Sequence, residues 1–305
     1  MTKNNKTKGI FLAILSAMMF GTSPMFVNFF RSEGINTLTT VFTGCLLSLI
    51  IYLLILTLNK NLKSLKIEKN LIGKLVISSL VFYSTLGLLF FSYTKIPSGI
   101  ATVIHFIYPI LVTIISIKAG RDKLTFNLVI VIICTFFGVA LVSDFSHQSL
   151  NLIGVLLATL SAITYTIYIY LINDEGLKKL DNTVFVFYVS FIGAFFLLFA
   201  IFIQNSFFSS VQGIWGNSFS TKVLIGALGL GLTQGFGVIF FALGVKYVGG
   251  PIGGTLSAFE PLTAVFIGTC FFQESLTLIC IIGCVLILGS TTFLSISEIK
   301  GKTKG

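Results

Sequence analysis

"GGTLSAFEPLTAVFIGTCFF", residues 253–272, decides how this chain is read. The stretch is apolar enough for a bilayer, yet Glu260 and Pro261 stand in its middle. A charged side chain at the bilayer centre costs roughly 2.5–3.5 kcal/mol on insertion scales. Proline removes a helical hydrogen bond and frees a carbonyl one turn earlier. For Pro261 that carbonyl is near Ser257, and for Pro109 it is near His105. Freed backbone is tolerated at membrane depth where it lines a cavity. The Glu-Pro pair therefore reads as a polar, loosened point facing a pathway inside a membrane protein.

The rest of the chain agrees. Its mean hydropathy is +1.01, and only 10% of its 305 residues are charged. The charges cluster between apolar runs of about 20 residues, the length that crosses a bilayer. Ten such runs are expected, near 9–30, 36–58, 71–94, 97–118, 125–143, 151–172, 183–203, 222–246, 250–272 and 276–297. The fold expected is an all-α integral membrane protein of ten transmembrane helices. The connectors are too short to hold a soluble domain, and the first run reads as an uncleaved first helix.

The net charge of +10 is a topology signal and not a nucleic-acid footprint. With the N-terminus in the cytoplasm and the spans alternating, 17 of the 20 Lys and Arg residues fall on the cytoplasmic side. Arg31, Lys95 and Lys222 fall outside. This asymmetry predicts both termini in the cytoplasm of a plasma (inner) membrane. The five cysteines, Cys45, Cys134, Cys270, Cys280 and Cys284, lie inside apolar runs without a CxxC pair. They read as packing residues, so no metal and no cofactor are expected.

The two halves resemble each other. "GIFLAILSA" (9–17) matches "GVLLATLSA" (154–162), "IYP" (107–109) matches "FEP" (259–261), and "DKLT" (122–125) matches "ESLT" (274–277). "FFSYTKI" (90–96) resembles "FFALGVKY" (240–247). Residues 1–143 and 144–305 thus read as two five-helix repeats. An odd number of spans per repeat inverts one against the other, an architecture of many secondary transporters.

"YPILVTIISIKAGRDKLT" (108–125), "EPLTAVFIGTCFFQESLT" (260–277) and "LSAMMFGTSPMF" (15–26) resemble the repeats of the drug/metabolite transporter superfamily, in its ten-helix branch with two EamA-type repeats. The resemblance implies a transporter whose inner helices line a central cavity. It departs from the family pattern at Phe20, where tryptophan is usual, and at Arg121-Asp122, to which no role is given.

The ninth span carries Gly250, Gly253, Ser257, Glu260, Ala264 and Gly268 on one stripe, and the fourth carries Ser98, Thr102, His105, Tyr108 or Pro109, Thr113 and Ser116. Small residues also serve close helix packing, which leaves Glu260 and His105 to be explained. Overlaying the repeats places Glu260 on Tyr108, Gln234 on Tyr83, and Tyr165 and Tyr168 on Phe20 and Ser23. The expected substrate-binding set is Glu260, His105, Tyr108, Tyr83, Gln234, Ser257, Tyr165, Tyr168 and Phe20, with Phe106 nearby. Pro24, Pro109 and Pro261 are the expected hinges.

One carboxylate without Arg or Lys would suit a substrate ammonium, and aromatics bind cations by π contact. Glu260 and His105 could instead exchange a coupling proton, and both roles stay open. The expected function is export of an amino acid or amine by alternating access. The alternatives are an uncoupled facilitator or exchanger of a nucleoside, carboxylate or drug-like metabolite and, more remotely, an integral-membrane enzyme or a channel. No GxxxxGK[ST] sequence is present for ATP. The expected partners are a small-molecule substrate and membrane lipid, with no nucleic acid; monomer and homodimer both stay open.

Overall fold

Several apolar runs begin behind a residue that satisfies the amides of the first helical turn. Asn36 accepts from the Thr39 N–H at 2.8 Å, Asn151 from Ile153 at 2.9 Å, and Asp181 from Thr183 at 2.8 Å. The computed structural model describes residues 3–60, 62–118, 151–172, 174–207, 220–248, 256–274 and 277–302, with isolated positions between 126 and 141.

The helices are α1 (Lys3–Gly21), α2 (Ser23–Ser32), α3 (Thr37–Leu58), α4 (Lys69–Ser92), α5 (Ser98–His105), α6 (Tyr108–Lys118), α7 (Leu152–Ile172), α8 (Asn182–Phe207), α9 (Thr221–Val248), α10 (Phe259–Phe272) and α11 (Leu278–Lys302). Among the described residues, 6 helical runs are long and apolar enough to cross a membrane, with Thr7–Ser32 taken as one run. Most of the span expected at 125–143 and the start of the one at 250–272 lie outside the described residues. So do Gly250, Gly253, Arg121 and Asp122.

Polarity is inverted relative to a water-soluble fold. Phe195, Phe199, Phe202, Leu228 and Phe266 face outward, while Thr39, Ser48, Ser78, Ser79, Thr85, Ser161, Thr166 and Ser190 are buried. Lipid accounts for this. Apolar side chains gain nothing by leaving hydrocarbon, whereas small residues let helix backbones approach. Many of the hydroxyls bond within their own helix, as Thr43 does to the Thr39 carbonyl at 2.8 Å.

The packing repeats itself. α1 and α2 lie on α9 as α7 lies on α4, and α3 meets α9 as α8 meets α4. The α3–α8 and α5–α10 contacts join equivalent elements of the two halves. The directions are opposed: α2, α4 and α10 end, and α3 and α5 begin, around one cavity. α7 instead ends beside the start of α4, where Asp174 meets Lys74. The equivalent helices α2 and α7 therefore run in opposite senses, as an inverted repeat requires.

The α5–α10 crossing is close because Gly99 lacks a side chain. A Cβ there would lie 2.8 Å from the Val265 Cα, which belongs to backbone and cannot rotate away. At Gly87 a Cβ would meet nothing within 4 Å. Gly99→Ala should lower the thermal unfolding midpoint in detergent by the equivalent of about 1–3 kcal/mol. Gly87→Ala should leave the midpoint unchanged or raise it by up to about 1 kcal/mol through helix propensity.

Candidate functional site

Among the described residues, the backbone turns ahead of three helix starts inside the protein. α5 ends at His105, Phe106 and Ile107 turn, and α6 restarts at Tyr108-Pro109. Ser257 and Ala258 turn before α10 starts at Phe259-Glu260-Pro261. Thr22 separates α1 from Ser23-Pro24 at the start of α2. Each proline thus sits in a first turn, where an N–H has no partner within the helix and nothing is lost. The expected hinges Pro24, Pro109 and Pro261 thus stand beside turns in the helical runs and not in the middle of a regular helix. Nor is the Ser257 carbonyl freed, because it accepts the Glu260 N–H at 3.0 Å. Glu260 is the second residue of α10, where the positive end of the helix favours a carboxylate. A residue pair that is expensive in mid-helix is favourable at a helix start.

These restarts gather a polar and aromatic cluster. His105 is 4% exposed, and its Nδ1 lies 2.8 Å from the Ser161 hydroxyl. The Ser161 hydroxyl is also within hydrogen-bond reach of the Ala158 carbonyl, at 2.6 Å. Ring centroids of His105 lie 5.6 Å from Tyr108 and 5.4 Å from Tyr165, and Tyr108 meets Tyr165 edge-on at 4.7 Å. The Tyr108 hydroxyl is hydrogen-bonded to Ser257. Glu260 is half-buried and within electrostatic reach of Tyr108, Tyr165 and Tyr93. The ion pairs found among the described residues lie elsewhere.

Stacking continues from Tyr165 to Tyr168 at 5.9 Å and from Tyr168 to Phe82 at 4.8 Å. It leads to Tyr83 and Gln234, which flank a second cavity of about 10 Å³ with Tyr52, Ser48 and Ser190. That volume holds about one water. Tyr83 donates to the Ser190 hydroxyl at 2.9 Å, and Tyr52 donates to the Gln234 carbonyl at 2.7 Å. Both side-chain amide atoms of Gln234 are buried without a hydrogen-bond partner among the described residues. The Phe20 ring lies against Gly237 in the α1–α9 contact, and its neighbour Gly21 packs against the Glu260 carbonyl and Thr263 of α10.

A cavity of about 320 Å³ opens at one end of the bundle and is lined by Pro24, Asn28, Arg31, Asn36, Tyr93 and Glu274 among others. Tyr93 joins this vestibule to the Glu260 cluster, because its hydroxyl bonds Thr102 at 3.0 Å on α5. Glu274 ties the two halves together at the same end. Its Oε1 accepts from the Ser98 N–H and hydroxyl, each at 2.8 Å, and its Oε2 from the Gly99 N–H at 3.3 Å. Gln273 adopts a left-handed φ of 53° and turns the chain so that the Glu274 N–H reaches the Gly268 carbonyl at 3.0 Å. A side chain at Gly268 would collide with the Glu274 carboxylate.

Sequence reasoning missed Arg31, Glu274, Tyr93, Tyr52 and Ser190. Arg31 had a signal, as one of three cations off the basic side. Glu274 stood in the repeat match "ESLT". Tyr52 and Ser190 had none, since nothing in their apolar runs separates an inward hydroxyl from one bonded along its own helix.

Residues 7–144 and 152–296 each match the model of the EamA-like transporter family. Among solved structures, 27 chains match this one. One, described only as a crystal structure of a protein, is 16% identical, covers 97% of this chain and 99% of its own length, and superposes with a TM-score of 0.63. At that identity the likeness shows the fold alone. No curated protein matches in sequence.

The Glu274 clamp should be measurable as a coupling between halves. Glu274→Gln and Ser98→Ala should each lower the thermal midpoint. Their double-mutant cycle should give an interaction of about 1.5–3 kcal/mol, the range for hydrogen bonds to a charged group. Additive effects would show that the contact is not energetically coupled.

Proposed function

The chain belongs to the EamA-like transporter family, and from that membership we propose that it is a secondary transporter exporting an amino acid or amine across the plasma (inner) membrane. Residues 1–143 and 144–305 act as two inverted units that open in turn to the two sides of a midplane site. Both termini face the cytoplasm, as the basic loops require, and the vestibule then opens outward.

One observation carries the reading of the cargo. Glu260 is an acidic group at membrane depth among Tyr108, Tyr165 and Tyr93, and no Lys or Arg pairs with it among the described residues. A substrate ammonium would supply the missing charge, and the tyrosine faces would add cation–π attraction. Ser257 and Tyr108 hold the turn beside the carboxylate. Gln234, with its unpaired amide, and Tyr83 offer hydrogen bonds further along the aromatic column through Tyr165 and Tyr168. Phe20 serves the wall between α1 and α9. His105, fixed by Ser161, is the second group able to exchange a proton.

The test is uptake of a labelled amino-acid and amine panel into proteoliposomes, with and without a pH gradient. Glu260→Gln should weaken transport at least tenfold at limiting substrate, the scale of a lost charged hydrogen bond. If the variant keeps exchange but loses its response to the gradient, Glu260 carries the coupling proton. If binding and exchange both vanish at an unchanged thermal midpoint, it contacts the cargo. If no amino acid or amine moves through folded wild type, the amine reading fails.

A further inference from the structure

Two ion pairs join the halves at opposite ends of the bundle, and each uses the same two elements. Lys74, in the first turns of α4, meets Asp174 in the connector after α7. Lys222, in the first turn of α9, meets Glu33 in the connector after α2. α4 and α9 are equivalent helices of the two repeats, and so are the two connectors. Each pair takes its lysine from one half and its acid from the other. On the repeat overlay Lys222 corresponds to Leu71, one turn from Lys74, and Glu33 corresponds to Lys178, four residues from Asp174. The elements are shared, while the residues have slipped by a turn.

The pairs are not in the same condition. Lys74 Nζ bonds both Asp174 oxygens, at 2.8 and 2.7 Å. Asp174 is further held by the Gly176 N–H at 2.9 Å and the Leu177 N–H at 3.3 Å. Gly176 lies so near α4 that a Cβ would come 2.8 Å from Leu71, and Leu177 is buried beneath the connector. The lysine partner, with the two amides, holds the Asp174 carboxyl below the usual carboxylate range. The stability this lends is present above the ordinary carboxylate pKa and is lost only as pH falls through the lowered folded-state value. At the other end Lys222 Nζ stands 3.9 Å from the Glu33 oxygen, beyond hydrogen-bond length, and the lysine side chain is 61% exposed. The 320 Å³ vestibule lies at this end, with Gly34 and Arg31, neighbours of Glu33, in its lining. Two inverted repeats in one shared conformation would hold equivalent contacts alike. Here one contact is engaged and its counterpart is slack, on the side of the open cavity.

We propose that Lys74–Asp174 and Lys222–Glu33 are reciprocal latches between the repeats: the first is closed when the vestibule is open, and the second closes as the first releases. This rests on the alternating-access reading above but needs no knowledge of the cargo. A latch formed in only one conformation shifts the balance by the strength of one exposed ion pair, about two- to fivefold in population. Latches of that strength bias the exchange without locking it.

The experiment uses the full chain in nanodiscs, where both ends are accessible, with Asn28→Cys as a reporter in the vestibule wall. The measured quantity is its labelling rate by a hydrophilic maleimide above the background of the native cysteines. Asp174→Asn and Lys74→Gln, each removing the closed latch, should slow labelling about two- to fivefold. Glu33→Gln, removing the opposing latch, should speed it or leave it at the parent rate. The exchanged pair K74D/D174K should return labelling towards the parent rate. Variants are compared only at matching elution volume and thermal midpoint. Should one partner's variant fail that criterion, its partner's variant carries the test. Equal labelling in all variants would overturn the proposal, as would slowing by both Asp174→Asn and Glu33→Gln. Failure of the transport assay with labelling as expected would instead indict the choice of cargo.

Discussion

Backbone amides inside a bilayer must find partners within the protein, and that requirement shapes this molecule. A continuous helix meets it automatically, whereas a helix that breaks exposes N–H groups at its new start. The chain solves this the same way three times. The restart carries a proline in its first turn at Pro24, Pro109 and Pro261, so one amide is deleted where it would have had no helical partner. The turns themselves are closed by short backbone bonds, such as Ile107 N–H to Ile104 O at 3.1 Å and Glu260 N–H to Ser257 O at 3.0 Å. What remains is the positive end of a helix at membrane depth. At α10 the chain places Glu260 there and at α6 Tyr108, so the two self-equivalent breaks carry the polar groups of the site.

The same constraint orders the surroundings. A break is tolerated only away from lipid, so broken helices must be enclosed by whole ones. α3, α4, α7, α8 and α9 are long and unbroken, and they supply the walls. α7 shows the alternative to breaking. It is equivalent to the α1–α2 run, yet Ile169 stands where the overlay would place Pro24, and the helix continues from Leu152 to Ile172. The pseudo-symmetry therefore holds for the main helix contacts and is relaxed in local chemistry.

Much of this was legible in the sequence because bilayer solvation leaves a coarse signal. Apolar length gave the 6 long apolar helical runs among the described residues, and the repeated "GIFLAILSA" and "GVLLATLSA" pointed to two halves. The lone acid and histidine within the spans gave Glu260 and His105, which the structure brings into one cluster with Tyr108, Tyr165 and Ser257. Tyr83 and Gln234 fall together around a cavity of one-water size, which Phe82 and Tyr168 also line. Phe20 stands with its ring against Gly237, one turn from Gln234. Whether a proline bends a helix or restarts it was not legible. That depends on whether neighbouring helices leave room for a turn, which is a property of packing. Long-range polar pairs such as Glu274 with Ser98 were hidden for a similar reason, since the partners are 176 residues apart.

The contact between α5 and α10 has a special place in this arrangement. It joins equivalent elements of the two repeats, so the pseudo-two-fold axis passes near it, and groups close to an axis move least when two bodies exchange roles about it. Gly99 against Val265 makes this contact close, and Glu274 bonded to Ser98 and Gly99 ties its vestibule end. Glu260 and Tyr108 flank the same contact, each at the start of a helix that points away from it. The backbone there is nearly symmetric, but the chemistry is a carboxylate on one side and a phenol on the other. In the alternating-access reading proposed above, a symmetric pivot lets the two conformations be similar in packing energy, while a single acidic group beside it keeps one polar centre near the axis in both. An acidic group on a mobile peripheral helix would instead have to cross between environments of different polarity at every exchange, with a desolvation cost each time. In that reading, placing Glu260 at the restart of an axis-adjacent helix avoids that cost.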